Sequence, residues 1–142
     1  MTDKITLDVN GSIATITNRN VEKHNAFDDE MDAELFAIFD ELAATPTVRA
    51  IVWRGEGRSW SSGRDVSAIG TNVTEMTHHE LMSRGHAGNQ KIWSIEAPII
   101  AAIQGWAIGG SFQRALPCDV RIAAEDARFL HPELGPGVIP DT

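Results

Sequence analysis

The 142-residue chain carries 20 acidic against 12 basic side chains, a formal net charge of -8, with 42% hydrophobic and 23% charged residues. That length and mix suit one soluble domain over residues 1–142 and exclude a disordered or collagen-like chain. The acidic balance repels a polyanionic backbone, so no nucleic-acid partner is expected. A single cysteine, Cys118, cannot form an internal disulfide and lacks the companions of a zinc cluster. A reducing, cytoplasmic compartment and no metal are therefore expected. Met1 to Asn10 holds charges and no long apolar run, and Ala97 to Ala107 is too short to span a bilayer, so neither a leader nor a membrane partner is expected.

Taken in chain order, Ile5 to Val9 and Ser12 to Thr17 flank Asn10-Gly11, a dipeptide that accepts the positive φ of a tight turn, and predict a β-hairpin. From Asp28 the period changes. Met31, Leu35, Ile38, Phe39 and Leu42 recur at helical spacing, while Asp29, Glu30, Asp32 and Glu34 crowd the first turns, where the helix dipole favours anions. This amphipathic helix should end near Thr45-Pro46. Val48 to Arg54 predicts a buried strand, and Gly55 to Gly63 a loop. His78 to Ile95 has helical character, with Leu81, Met82, Ile92 and Trp93 as candidate buried positions, although Gly85 and Gly88 weaken it. Pro98 to Ile103 reads as a strand, Gly105 to Gly110 as a turn, Ser111 to Leu116 as a helix start and Asp119 to Ala123 as a strand. Alternating strands and helices imply an α/β fold. Gly135-Pro-Gly-Val-Ile-Pro-Asp-Thr142 is loop-like and reads as cut rather than finished.

Two segments can carry chemistry. Trp60-Ser-Ser-Gly-Arg-Asp-Val66 follows a buried strand and offers backbone N–H groups from a glycine-containing bend; fixed amide dipoles stabilise negative charge on an oxygen without reorganising, although an ordinary surface loop reads the same way. Ile103-Gln-Gly-Trp-Ala-Ile-Gly-Gly-Ser-Phe-Gln113 runs from a strand through glycine into a helix start, where free N–H groups favour an anionic oxygen, or where glycine serves only packing. Ser111 is not framed as a nucleophile elbow. Gly55-Glu56-Gly57 lacks the third glycine of a dinucleotide fingerprint. His78-His79 have no third ligand at a recognisable spacing, Cys118 reads as a buried inert thiol, and Trp53, Trp93 and Trp106 read as core or pocket wall.

Together, Ser61-Ser-Gly-Arg-Asp65, Pro98-Ile-Ile-Ala-Ala-Ile-Gln-Gly-Trp-Ala-Ile-Gly-Gly110 and Cys118-Asp-Val-Arg-Ile-Ala-Ala-Glu-Asp-Ala-Arg-Phe129 strongly resemble the crotonase, or enoyl-CoA hydratase/isomerase, superfamily. Asn18-Arg-Asn-Val-Glu-Lys-His-Asn-Ala26 is similar to its early acyl-CoA-binding segment. The resemblance covers nearly the whole chain. It implies a spiral of ββα turns, present here as the N-terminal part of a longer chain and truncated before its C-terminal helices. It also implies assembly as homotrimers or hexamers and a coenzyme A thioester as substrate, with no permanently bound cofactor.

By the same resemblance, the backbone N–H groups of Arg64 and Gly110 form an oxyanion hole. Lys23, Ala26, Ser62 and Arg64 fall in the CoA-binding segments, the Arg64 side chain as a candidate phosphate contact. The two acids of a hydratase match Gln113 and Glu133. A neutral amide orients water but exchanges no proton at ordinary pH, so Gln113 puts two-glutamate hydration in doubt and leaves Glu133 as the general base. Asp141 falls where some isomerase relatives place their acid, in a position where Asp also simply favours a turn. His131 is a secondary candidate for tuning Glu133. One base moving a proton between two carbons is the minimum for double-bond isomerisation, and the residue set leans that way. Thioester hydrolysis or carbon–carbon cleavage on the same fold, and non-catalytic acyl-CoA binding, are the alternatives.

Overall fold

The structure, a computed structural model, describes residues 2–68 and 77–134. It begins with the expected hairpin, β1 (Ile5–Asn10) and β2 (Ile13–Asn18), paired antiparallel around Gly11 at φ +60°. Helix α1 (Asp29–Ala43) follows, then β3 (Ala50–Gly55), α2 (His78–Gln90), β4 (Ile99–Ile103), β5 (Trp106–Ile108), α3 (Gly110–Ala115), β6 (Val120–Ala123) and β7 (Arg128–Leu130). One sheet runs β1-β2-β3-β4-β6, with every pairing after the hairpin parallel; β5 and β7 form a second, two-stranded parallel sheet. Parallel neighbours need a crossover between them, and α1 and α2 lie in the connections that carry the chain back.

Period-2 patterning decides which face of the sheet is covered. Ala14, Ile16 and Asn18 of β2, Ile51 and Trp53 of β3, and Ile99, Ala101 and Ile103 of β4 are buried. The register places Trp53 between Ile16 and Ala101, so a small side chain leaves room for the indole. Helix α1 presents Met31, Leu35, Ile38, Phe39 and Leu42 to that core, the five positions its periodicity predicts. Its start is fixed by Asp28, whose Oδ1 accepts the Met31 N–H at 2.9 Å, and capping of this kind contributes ~1 kcal/mol. Helix α2 begins with a reciprocal capping box between Thr77 and Glu80. Gly88, which weakens the helix on propensity, is needed for packing: a Cβ there would stand 2.0 Å from Cζ of Phe36 on α1.

Two expectations are corrected. Gly105 to Gly110 is not only a turn, because it contains β5. The predicted helix to Ile95 gives way after Gln90 to a 3-10 turn, Lys91–Ser94, in which Ile92 is buried but Trp93 is 69% exposed. Gly55 to Gly63 leaves β3 as the expected loop, exposed at Gly57 and Arg58 and then turning inward, where Trp60 is fully buried with its ring 5.1 Å from that of Trp53. The side chains of Leu81 and Met82, and the tail 135–142, lie outside the described residues.

Buried Asn18 organises this junction. Its Oδ1 accepts the Trp53 Nε1–H at 2.9 Å and its Nδ2 donates to the Trp60 carbonyl at 3.0 Å. Replacing Asn18 by Leu leaves a buried donor and a buried acceptor unpaired, each costing about 1–3 kcal/mol. Urea unfolding followed by tryptophan fluorescence should show a lower midpoint with an unchanged slope.

Candidate active site

The segment Ser59 to Asp65 runs through the interior and has its polar atoms satisfied from three directions. Trp60 N–H donates to the Gln104 carbonyl, Ser61 N–H to Trp106, and Ile108 N–H back to Ser61, which stitches the loop to β5. On its other side Ser62 N–H donates to His24, Phe27 N–H to Gly63, and Asp65 N–H to Phe27. Asn25, at φ 58°, sends its Nδ2 to the Glu56 and Ser59 carbonyls at 2.9 and 2.7 Å. The early segment and the Ser-Ser-Gly-Arg-Asp loop are thus neighbours.

Ser61 Oγ sits where three segments meet. It donates to the Asn25 carbonyl at 2.6 Å, accepts the Gly63 N–H at 3.2 Å, and lies 2.6 Å from Ser111 Oγ on α3. Since its one proton is given to Asn25, Ser111 is the donor in the hydroxyl pair. This contact joins the two segments that bear the candidate oxyanion donors. Around Arg64 the adjoining amides are used: Gly63 N–H by Ser61, Asp65 N–H by Phe27. Around Gly110, the Gly109 N–H donates to the Leu130 carbonyl at 2.8 Å. The Arg64 and Gly110 N–H groups themselves take no protein acceptor among the described residues, Gly110 because it opens α3.

Glu133, in the 3-10 turn Pro132–Leu134, lies against this glycine pair. A Cβ on Gly109 would stand 2.6 Å from Glu133 Oε1, and Gly109 is held at φ 56°, ψ −133°, which side chains other than hydrogen do not tolerate. His131 packs at a tilt against Phe112 with 4.7 Å between ring centres, and its Nδ1 is 3.7 Å from Glu133 Oε2. Both of those atoms are buried and lack a hydrogen-bond partner. Gln113, also buried, and His131 line a cleft of about 880 Å³ together with His86, Gln90, Trp93 and Cys118. Burial pushes the Cys118 thiol up to about 12, so it stays protonated and apolar in character.

Charge is paired within the chain at the CoA-binding candidates. Lys23 Nζ lies 2.6 Å from Asp65 Oδ2 and 3.2 Å from Ser67 Oγ. Ser62 Oγ donates to the Lys23 carbonyl at 2.9 Å, and Ala26 is buried, its carbonyl accepting from Asn20 Nδ2 at 2.7 Å. The Arg64 side chain, the candidate phosphate contact, pairs its guanidinium with Asp29 and, at 2.9 Å, with Asp32, where the acidic first turn of α1 faces it. Asp141 lies outside the described residues. Among the described residues no three metal-binding side chains converge, and no helix is long and apolar enough to cross a membrane.

The residues that sequence reasoning passed over are Ser61, Ser111, Asn25, Asp32 and Arg114. Arg114 is buried on α3, reaches Asp32 Oδ1 at 2.7 Å and Asn89 Oδ1 at 3.1 Å, and lies over the Phe27 ring. The available signal was a cation at a position adjoining the buried stripe of a short helix, which needs a carboxylate partner.

Parallel strands joined through helical and glycine-rich crossings define an α/β fold of one class, and comparison with known proteins identifies it. The chain belongs to the enoyl-CoA hydratase/isomerase family, whose model matches residues 8–142. It is 38% identical over 136 residues to a probable enoyl-CoA hydratase of Bacillus subtilis, covering 96% of this chain and 52% of that one. It is 33% identical over 143 residues to the carnitinyl-CoA dehydratase of Escherichia coli K12, covering 100% and 54%. A crystal structure of an enoyl-CoA hydratase/isomerase from Marinobacter aquaeolei superposes with TM-score 0.87 at 28% identity, covering 98% of this chain and 55% of that one. The chain therefore spans about half the length of the curated relatives it matches, and the crotonase-type α/β fold is the one expected from its sequence.

Two outcomes follow from this geometry. Gly109→Ala forces a strained backbone and displaces the Glu133 carboxylate, so thermal unfolding should show a loss of about 1–3 kcal/mol. The Asp65 carboxyl is held down at about 2 by its hydrogen bond from Lys23, then by Ser67. Because its folded pKa lies below the ordinary unfolded value of about 3.9, its contribution is complete above that pH and is lost as pH falls toward 2. Asp65→Asn should flatten the stability–pH curve over that window and leave its slope above pH ~5 unchanged, as read by urea denaturation at stepped pH.

Proposed function

We propose that this protein acts on an acyl-CoA thioester, holding the thioester oxygen with the Arg64 and Gly110 N–H groups and using Glu133 as a single general base to shift a carbon–carbon double bond. The observation that carries this reading is the Glu133 carboxylate packed on Gly109, next to the Gly110 amide, with Oε2 buried and unpartnered. A 3-enoyl thioester bound there loses its Cα proton to Glu133, and the electron pair delocalises onto the thioester oxygen and Cγ. The two amides hold that charge; in other enzymes one such donor contributes roughly 3 kcal/mol. Glu133 then returns the proton to Cγ, leaving the 2-enoyl thioester and a regenerated carboxylate. Proton and electron pair balance with no added reactant.

Gln113 supports a single-carboxylate reading, since an amide positions water or substrate and does not exchange a proton. Coenzyme A enters as part of the substrate; Ala26 and Ser62 lie along its expected course. Asp141 is proposed as the second proton-transfer group. Hydration of a 2-enoyl thioester is the second reading, favoured by the names of relatives such as the Bacillus subtilis probable enoyl-CoA hydratase, with Glu133 activating a water that Gln113 orients.

Absorbance separates the two. Conjugation appears when a 3-enoyl-CoA isomerises and disappears when crotonyl-CoA is hydrated. Appearance is expected, and Glu133→Gln should lower its kcat about 10²- to 10⁴-fold with little change in KM. Loss of crotonyl-CoA absorbance with no action on the 3-enoyl thioester would replace isomerisation by hydration. A Glu133→Gln variant as fast as wild type would overturn the base assignment.

A further inference from the structure

The two proposed oxyanion donors sit on elements that are weak by themselves. Arg64 belongs to a loop held as an isolated bridge to Phe27, and α3, which Gly110 opens, is six residues long. Hydrogen-bond donors stabilise a developing oxyanion only if their separation and direction are fixed before the charge appears. One side chain on the long, well-packed helix α1 reaches both elements. Asp32 Oδ2 accepts from Arg64 Nη1 at 2.9 Å and Asp32 Oδ1 from Arg114 Nη1 at 2.7 Å, each oxygen serving one guanidinium.

The arrangement is built rather than incidental. The Asp32 and Arg114 side chains are only 15% and 8% exposed. Arg114 is further fixed by Asn89 Oδ1 at 3.1 Å and by the faces of Phe27 and Phe36, 4.9 and 5.8 Å from its guanidinium carbon. Asp29 supplies Arg64 with a second carboxylate, so two anions and two cations close a locally neutral cluster. An exposed ion pair contributes little, but a half-buried carboxylate between two guanidiniums has directed, charge-assisted hydrogen bonds that resist rotation. The Ser61–Ser111 hydroxyl pair ties the same two elements at a different point. Two ties at separate points fix both distance and orientation, where one would leave a hinge.

We infer that Asp32 is a positioning residue, which acts through the Arg64 and Arg114 side chains to set the spacing of the Arg64 and Gly110 amides. This inference rests on the oxyanion reading of the preceding subsection. It assigns the Arg64 side chain a mechanical role, separate from the backbone N–H that would touch the substrate.

The test uses the bound spectrum of cinnamoyl-CoA, a conjugated thioester whose absorption moves to the red when its carbonyl is polarised. Wild type should give a red shift. Asp32→Asn and Arg64→Met, the latter keeping the backbone donor, should each lose much of that shift while Kd changes by less than about threefold. In turnover of a 3-enoyl-CoA each should lower kcat about tenfold to a hundredfold with KM nearly constant. The double variant should be no worse than Asp32→Asn alone, because both remove one tie. Arg64→Met leaves the Asp32–Arg114 pair intact and carries the test if Asp32→Asn does not fold. Folded variants that keep the full red shift and kcat would overturn the positioning role while leaving the oxyanion reading standing. A wild type that binds without a red shift, or does not bind, would overturn the oxyanion reading itself and this inference with it.

Discussion

A hydroxyl group has one proton and two lone pairs, and Ser61 Oγ uses all three on different stretches of chain: the Asn25 carbonyl, the Gly63 amide and the Ser111 hydroxyl. The loop after β3 is buried without being a strand of the main sheet, and a buried segment must satisfy each backbone and side-chain polar group or lose the cost of stripping it of water. Asn18 and Asn25 do the same work on either side of it, each reaching across about thirty or more residues to carbonyls of the loop. With those three polar side chains in place, Trp60 packs against Trp53, and β5 has a partner through Ser61. The segments that carry the Arg64 and Gly110 amides are brought together by that packing.

Net charge tells little about such a molecule until the charges are located. Of the carboxylates that make the chain acidic, Asp28, Asp29 and Asp32 gather at the start of α1, where the helix dipole favours them. They face Lys4, Arg64 and Arg114. Burial raises the Asp28 carboxyl, but the Lys4 hydrogen bond, the Met31 amide and the Lys4 charge together hold it below its ordinary value. The same acidic turn that starts the helix therefore also anchors the loop that carries Arg64 and the short helix that Gly110 opens.

Strong periodicity was legible and weak periodicity was not. The stripe from Met31 to Leu42 repeats at helical spacing over three turns, and the structure buries those same residues. The hairpin is marked by Asn10-Gly11, and β3 and β4 by runs of β-branched residues. Strands β5 and β7 have three residues each, too few for a period of two to register, and each exists because the other is beside it. Trp93 has the composition of a core residue but follows the last turn of α2 outward, while Trp60 sits among serines and glycines and is buried. Burial in both cases is decided by contacts remote in sequence. Motifs single out candidate positions, but the Ser61–Ser111 contact and the Asp32 bridge span 50 and 82 residues and leave no local trace.

Gly109 shows how conformation and chemistry converge on one residue. Its positive φ turns the chain from β5 into α3, its N–H is used by Leu130, and its missing Cβ is the space occupied by the Glu133 carboxylate. A larger residue would strain the turn, displace the carboxylate and shift the helix start that frees the Gly110 amide. The Glu133 carboxylate and the Gly110 amide, proposed as base and oxyanion donor, are consequently both set by a single backbone constraint at Gly109. Diversity of reaction on such a frame must then come from groups that the constraint does not include, such as the amide or acid at position 113 and the side chains that line the cleft beyond it.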